Sequence, residues 1–401
     1  MCMSPQPWAR TGPGTASDGK PKFDLAKLDQ RYFDRLRDRI VTASRCGIYV
    51  SVMLFDGFAL HLTATPDNVE GHPFHARNNV YGVAITSIRD YQVLPLEPSV
   101  QALQEAYIRK VVDTVHDLPN VLYEVANESS GDNAESVTLP NGSSIDTPIG
   151  DSTQWQYWVI NFVKRYEEAG YDAHPVGMTM QYPVPDQRKV NHVLFASPAD
   201  WISPGFDESP SPDDLMGDSV AGRWLTDPPA NDGRKVILTD TDHYSPMQAD
   251  ALWAWKSFLR GHNPLLYDLA IFAGPTPADS SAGTPSYASL EPARYAMGDT
   301  LRFAQRIRLA EMEPQTELSS TKYVPASRTG SEFLVLQPEA SQRSFTVELP
   351  AGRYSVEWYS VESRNQVPAE SVAIETAGKV TFKPPRAEAV ILLLQREPDR
   401  A

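Results

Sequence analysis

Cysteine is nearly missing from this chain. Its 401 residues hold two, Cys2 and Cys46, which excludes a disulfide-built scaffold and leaves no Cys/His spacing of the kind that holds zinc. Long apolar runs are missing too. Without a stretch of about 20 apolar residues, no membrane-spanning helix is expected. Positive charge is scarce: 36 Lys and Arg stand against 51 Asp and Glu, a net charge of −15. That balance disfavours nucleic acids and anionic membrane surfaces as partners and is indifferent to uncharged sugars. The start, from Met1 to Trp8, shows neither a basic segment nor an apolar one behind it. No signal peptide is read there, so localisation stays open.

What is present is ample core material, 41% hydrophobic residues with 10% aromatics, arranged in alternating helical and strand patterns. Asp24 can cap a helix whose Leu25, Leu28, Tyr32, Leu36 and Ile40 follow three- and four-residue steps, with Gly47 ending it. The strand Ile48–Phe55 follows. A helix from near Ser99 then leads through Leu118-Pro119-Asn120 into a second strand that stops at Asn127-Glu128. The next helix carries Trp155, Trp158, Phe162 and Tyr166, a spacing that suits packing of helix on barrel. Strands at His174–Tyr182, Trp201–Pro204, Lys235–Asp240 and Pro264–Asp268 continue the pattern. A helix from Ser245-Pro246 to Gly261 and a closing helix over 292–309 alternate with them.

Six strands, each followed by a helix or a long loop, imply right-handed βα units. The expected fold class is therefore α/β: a (β/α)8 TIM barrel lacking its first two strands, followed by a small all-β sandwich. The expected domains are an irregular segment over 1–22, the barrel over 23–312 and the sandwich over 313–401. Long Pro/Gly/Ser/Asp-rich loops at 131–150, 203–233 and 274–289 fall after strands, where a barrel keeps its working residues. The sandwich is read from Glu332–Leu336, Ser344–Leu349, Arg353–Tyr359, Lys379–Phe382 and Val390–Leu394, with Trp358 facing inward and Tyr359 outward.

Chemistry enters at the strand ends. Glu128 leaves one apolar strand beside Asn127, and Asp240 ends the Val-Ile-Leu-Thr run that continues to Asp242, His243 and Tyr244. Counting the two absent strands, these are the fourth and seventh. A carboxylic acid that protonates the leaving oxygen and a carboxylate that attacks the anomeric carbon or activates water are the two parts of glycoside hydrolysis. The candidate catalytic residues are thus Glu128 and Asp240, with Asp242 in reserve. Phe55, Tyr182, Trp201 and Tyr244 lie at or near strand ends, where ring faces can stack on a sugar. Asn127, Asp56, His72, Asn79 and His243 can bond its hydroxyls. Each is also a candidate for ordinary packing or capping. Asp-x-Asp-His lacks further carboxylates to complete a cation site, so neither metal nor cofactor is read.

These strand ends resemble those of clan A glycoside hydrolases of the cellulase-like kind. Ser4-Pro-Gln-Pro-Trp-Ala-Arg-Thr-Gly-Pro-Gly14, Gly71-His-Pro-Phe74 with Asn78-Asn79-Val80, Asp240-Thr-Asp-His243 and Tyr354-Ser-Val-Glu-Trp358 narrow the resemblance to bacterial cellulase-like proteins. Those have an apiosidase-like barrel and a sandwich like a collagen-binding domain. The resemblance implies O-glycosyl hydrolase activity on a poly- or oligosaccharide, with retention favoured. Two departures stand out: nothing in 1–22 matches the two upstream strands of that group, and Asp240 stands where the clan usually has Glu. An amino-terminally clipped secreted or periplasmic enzyme is one expectation. A catalytically silent carbohydrate-binding or scaffold protein, self-associating through an open barrel edge, is the other.

Overall fold

The computed structural model describes residues 5–61, 69–131, 137–138, 144–145, 150–182, 190–205, 223–243, 249–268 and 287–398. The chain forms two compact units, Met1–Gly205 and Phe206–Ala401. The junction at 312/313 falls inside the second. The three long loops lie for the most part outside the described residues.

The first unit opens with a correction. Residues 8–28 are an antiparallel hairpin, β1 Trp8–Thr15 with β2 Pro21–Leu28, in place of an irregular segment and a helix start. The alternation in Pro-Lys-Phe-Asp-Leu decides it: Phe23 and Leu25 are buried while their neighbours are not. That period of two is a strand's. Phe23 also bridges to Asn79, tying the hairpin to the next loop. Helix α1 begins only at Gln30 and runs to Arg45, capped by Asp29, whose carboxylate accepts from the Arg31 N–H.

Four parallel strands follow in chain order: β3 Val50–Asp56, β4 Val121–Asn127, β5 Val176–Thr179 and β6 Trp201–Ser203. Between them run α2 Pro98–Val115, α3 Thr153–Glu168 and the short α4 Val190–Ala196. Proline opens α2 with Glu97 as its cap, and Leu103, Tyr107, Ile108, Val111 and Val115 bury one face. In β4, Val121, Tyr123, Val125 and Ala126 are all buried, as parallel strands covered on both sides require.

The second unit pairs β7 Val236–Asp240 in parallel with β8 His262–Leu265, which begins two residues before the expected Pro264. Helix α5, Ala251–Leu259, takes its cap from Asp250; the expected Ser245-Pro246 start lies outside the described residues. Helix α6 spans Glu291–Ala304. The antiparallel part is one sheet of six strands in the order β9 Met312–Pro314, β10 Pro325–Ser327, β11 Glu332–Gln337, β16 Val390–Arg396, β13 Gly352–Ser360 and β14 Gln366–Ile374. A two-stranded sheet, β12 Phe345–Leu349 with β15 Gly378–Phe382, accompanies it. The expected five strands are all present. Missed were β9, β10 and β14, the last because Gln-Val-Pro-Ala-Glu-Ser is mostly exposed and poor in strand formers.

The larger sheet buries both faces. One packs Phe333, Val335 and Trp358 against Phe345, Val347 and Phe382. The other packs Leu334, Leu336, Tyr359, Ile391 and Leu393 against Trp253, Trp255 and Phe303 of α5 and α6. Tyr359 therefore does not face solvent: it is 2% exposed, and its hydroxyl reaches Asp299 on α6. The fold class is α/β of the TIM-barrel kind, with six parallel strands among the described residues, followed by a β-sandwich.

Candidate active site

Glu128 is the first residue beyond β4, with the backbone in the left-handed region at φ 43°. For a residue with a Cβ that conformation is strained by roughly 1 kcal/mol, and such strain collects where a side chain must be aimed. The turn is held on both sides. Gly57 donates its N–H to the Asn127 carbonyl at 2.7 Å. A Cβ at position 57 would lie 2.5 Å from Ser129 Cα, so only glycine permits this approach. Gln92 then locks two strand ends together, donating to the Asp56 carbonyl at 3.0 Å and accepting from Ser129 Oγ at 2.9 Å. Asn127 Nδ2 reaches Asp56 Oδ1 at 3.3 Å.

Tyr182 is brought to Glu128. Its N–H donates to the Ser129 carbonyl at 3.2 Å. Burial, and after it the charge of Glu128, hold the Tyr182 phenol above its ordinary pKa. Buried Gln181 beneath it bonds Ser152 Oγ and Thr153 Oγ1, fixing the start of α3 against this strand end.

Other candidates go to structural duty. The Phe55 ring is 5% exposed and lies edge-on to Tyr91, Tyr107 and Trp155, with centroids 5.2 to 6.0 Å away, so it shows no open face for a sugar. Trp201 is 3% exposed, its ring filling the space above Gly177, where a Cβ would meet it at 1.9 Å. Asn79 spends its amide on the Pro73, His75 and Val83 carbonyls and its carbonyl on the Tyr81 and Gly82 N–H groups. Together with Asn78 it is a loop lock. Trp155 is core, its indole N–H donating to Gln104 at 2.9 Å.

Asp56 and His72, with Phe55, line one cavity of about 340 Å³ in the first unit. Its other ring-bearing walls are Trp8, Tyr32, Tyr91 and Tyr107, none of which the sequence marked as a ligand-binding candidate. Only Trp8, in a Pro-flanked segment, carried a local signal. Burial, then the neighbouring His75, lowers the His72 pKa to about 3, so the ring is neutral.

In the second unit Asp240 ends β7, and its Oδ1 accepts the Asp242 N–H at 3.0 Å. Asp240 thus caps the turn Thr241–His243. Burial pushes its pKa up to about 6, with the Asp242 N–H opposing. The His243 side chain and Tyr244 lie outside what is described. Among the described residues no three His, Cys, Asp or Glu side chains group as metal ligands, and no helix is long and apolar enough to cross a membrane.

No known family model matches the sequence, and no curated protein matches it. Solved glycoside hydrolases share its fold. A glycoside hydrolase family 5 structure from Bacteroides vulgatus ATCC 8482 aligns with TM-score 0.54 at 12% identity, over 91% of this chain and 74% of that one. Another, described as a glycoside hydrolase, aligns with TM-score 0.51 at 10% identity, over 91% and 89%. At such identities the likeness is one of fold.

Proposed function

We propose that the protein is a glycoside hydrolase acting on an O-glycosidic bond of a poly- or oligosaccharide. The observation that carries this reading is Glu128, delivered past the end of β4 by a strained left-handed turn that Gly57 holds from below. In α/β barrels catalytic groups come from the carboxyl ends of strands. The fold likeness supports the class of chemistry and not its details.

In the proposed reaction Glu128 gives its proton to the leaving oxygen while the Asp240 carboxylate attacks the anomeric carbon. Water then cleaves the glycosyl ester with Glu128 as base, returning both groups to their first state and retaining configuration. Asp242 is the reserve nucleophile. Within this class we place the barrel with the apiosidase-like proteins and the sandwich with the collagen-binding-like domains. The support for that is the sequence motifs alone.

The test is Glu128→Gln, which keeps shape and loses the proton. It should slow hydrolysis of unactivated glycosides by about 10²–10⁴ and spare activated ones far more. Equal loss on both substrates, or none, would remove Glu128 as the acid. Wild-type protein that binds oligosaccharides and cleaves none would leave the silent carbohydrate-binding reading. The anomer first formed, read by NMR, decides retention.

A further inference from the structure

The cavity of about 340 Å³ beside Asp56 is walled largely by the rings of Trp8, Tyr32, Phe55, His72, Tyr91 and Tyr107, with Gln6 and Arg35 as further polar side chains at its wall. Tyr91 meets His72 at 4.5 Å and 62°, Phe55 meets Tyr91 at 6.0 Å and 77°, and Phe55 meets Tyr107 at 5.6 Å and 69°. Edge-to-face packing of this kind is how aromatic rings prefer to meet, and a flat aromatic guest would extend it. Much of the polar content is already engaged, and Arg35 donates to the Pro5 carbonyl at 3.0 Å. Tyr32 and Tyr107 hydroxyls lie 3.4 Å apart and bond each other. Asp56 Oδ1 already accepts the Phe58 N–H at 3.1 Å. His72 Nδ1 accepts the Phe74 N–H at 3.1 Å, which places the proton of the neutral ring on Nε2. Trp8 Nε1, His72 Nε2 and the Tyr91 hydroxyl then remain as donors with no protein acceptor among the described residues.

A sugar ring needs a partner for every hydroxyl it buries, and each one left unpaired weakens binding by roughly tenfold. An aromatic ring carrying one oxygen fits: its faces and edges meet the rings and its oxygen accepts from the Tyr91 hydroxyl. We propose that this cavity binds a phenolic ring, and that in turnover it holds the aryl leaving group of a glycoside next to the Glu128 strand end. The second half rests on the hydrolase reading; the first does not.

The experiment is calorimetric titration of the full chain with p-cresol and, separately, with xylose and glucose. It is repeated with Tyr91→Phe, which removes one hydroxyl and keeps the ring, and with Leu60→Trp, which fills the cavity. Cresol should bind with Kd below about 10 mM, a weak but measurable affinity. Tyr91→Phe should weaken it about three- to tenfold, the worth of one neutral hydrogen bond. Leu60→Trp should abolish it; if that variant does not fold, Tyr91→Phe alone carries the test. No cresol binding, binding indifferent to Tyr91→Phe, or tighter binding of either sugar overturns the proposal. Hydrolysis of a p-cresyl glycoside separates the two sources of the ring. Binding of cresol with no cleavage by wild type keeps the phenol site and removes the hydrolase reading. Cleavage with KM raised in Tyr91→Phe supports both.

Discussion

At the scale of single residues, Asp240 is the most informative group in the second unit because its environment opposes its charge. Burial raises its pKa from 3.8 to about 6. The folded state then holds the proton more tightly than the unfolded state between those values, so the ionised carboxylate costs stability above about pH 6 and nothing below about pH 4. Asp240→Asn should therefore melt higher than wild type at pH 7.5 and equally at pH 4. A gain of roughly 1–3 kcal/mol is the scale of such a shift. The same variant should lose turnover by at least about a hundredfold if Asp240 is the nucleophile. In wild type, kcat/KM should fall with decreasing pH through an acid limb near 6, where the carboxylate gains its proton. An Asn variant no more stable at pH 7.5 would show that Asp240 is not desolvated, and an acid limb near 4 would show that it is not the nucleophile. Glu128 and Asp240 were both legible as strand-end carboxylates because an apolar run that stops on an acid marks such a position. The walls around them were not. Tyr91 and Tyr107 come to His72 only through folding, and Asn79 is drawn away from any ligand by five backbone bonds that no local pattern announces.

At the scale of elements, the period of the apolar residues separated helices from strands wherever it was sustained. It failed at 21–28, where Leu25 and Leu28 fit a helical step and Phe23 with Leu25 fit a strand step. Burial of Phe23 and Leu25 against the rest of the unit chose the strand. Two glycines set how closely elements can approach, and neither was visible as such in the sequence. Gly177→Ala would drive its methyl into the Trp201 ring, whose nearest atom is 1.9 Å from the Cβ position. Overpacking of this kind costs about 1–3 kcal/mol or more, and urea melts should show it. Gly57→Ala meets backbone at 2.5 Å instead, so the loop must shift and carry Glu128 with it. That variant should lose activity by a larger factor than its stability loss explains. A Gly57→Ala protein with normal kcat would mean the turn at 127–129 does not aim the acid.

At the scale of the whole molecule, acid should destabilise the fold before its carboxylates other than Asp240 are titrated. His72 and His262 are held neutral by burial, each with its pKa lowered from 6.5 to about 3. Unfolded chain takes up two protons below pH 6.5 that folded chain refuses until near pH 3, so each His removes about 1.4 kcal/mol per pH unit in that window. His174, bonded to buried Glu167, has its pKa raised and contributes stability that is complete below its unfolded value. Asp240 works in the opposite sense to His72 and His262 between about 6 and 3.8. Two against one leaves a net loss. Melting temperature should decline from pH 6 to pH 4, and His262→Phe should flatten that decline, since a ring already buried against Trp224 is replaced by one that takes no proton. A profile level from pH 6 to 4, or one that His262→Phe leaves unchanged, would refute this.

The same scale holds the question of association. Strand β3 pairs with β4 on one side and has no second partner strand among the described residues. Beside it Ile48, Tyr49 and Met53 are 55%, 67% and 43% exposed. An unpaired strand flanked by exposed apolar side chains is a template for another chain, and soluble proteins ordinarily blunt such edges with charge or cover. We therefore expect the 401-residue chain to self-associate through β3, with light-scattering mass rising with concentration over the micromolar range. Met53→Lys places a charge on that edge and should hold the chain monomeric without a loss of melting temperature, because Met53 already faces solvent. Two results would count against the edge as the interface. One is a wild type whose mass stays that of a monomer at every concentration; the other is a Met53→Lys variant that associates as wild type does.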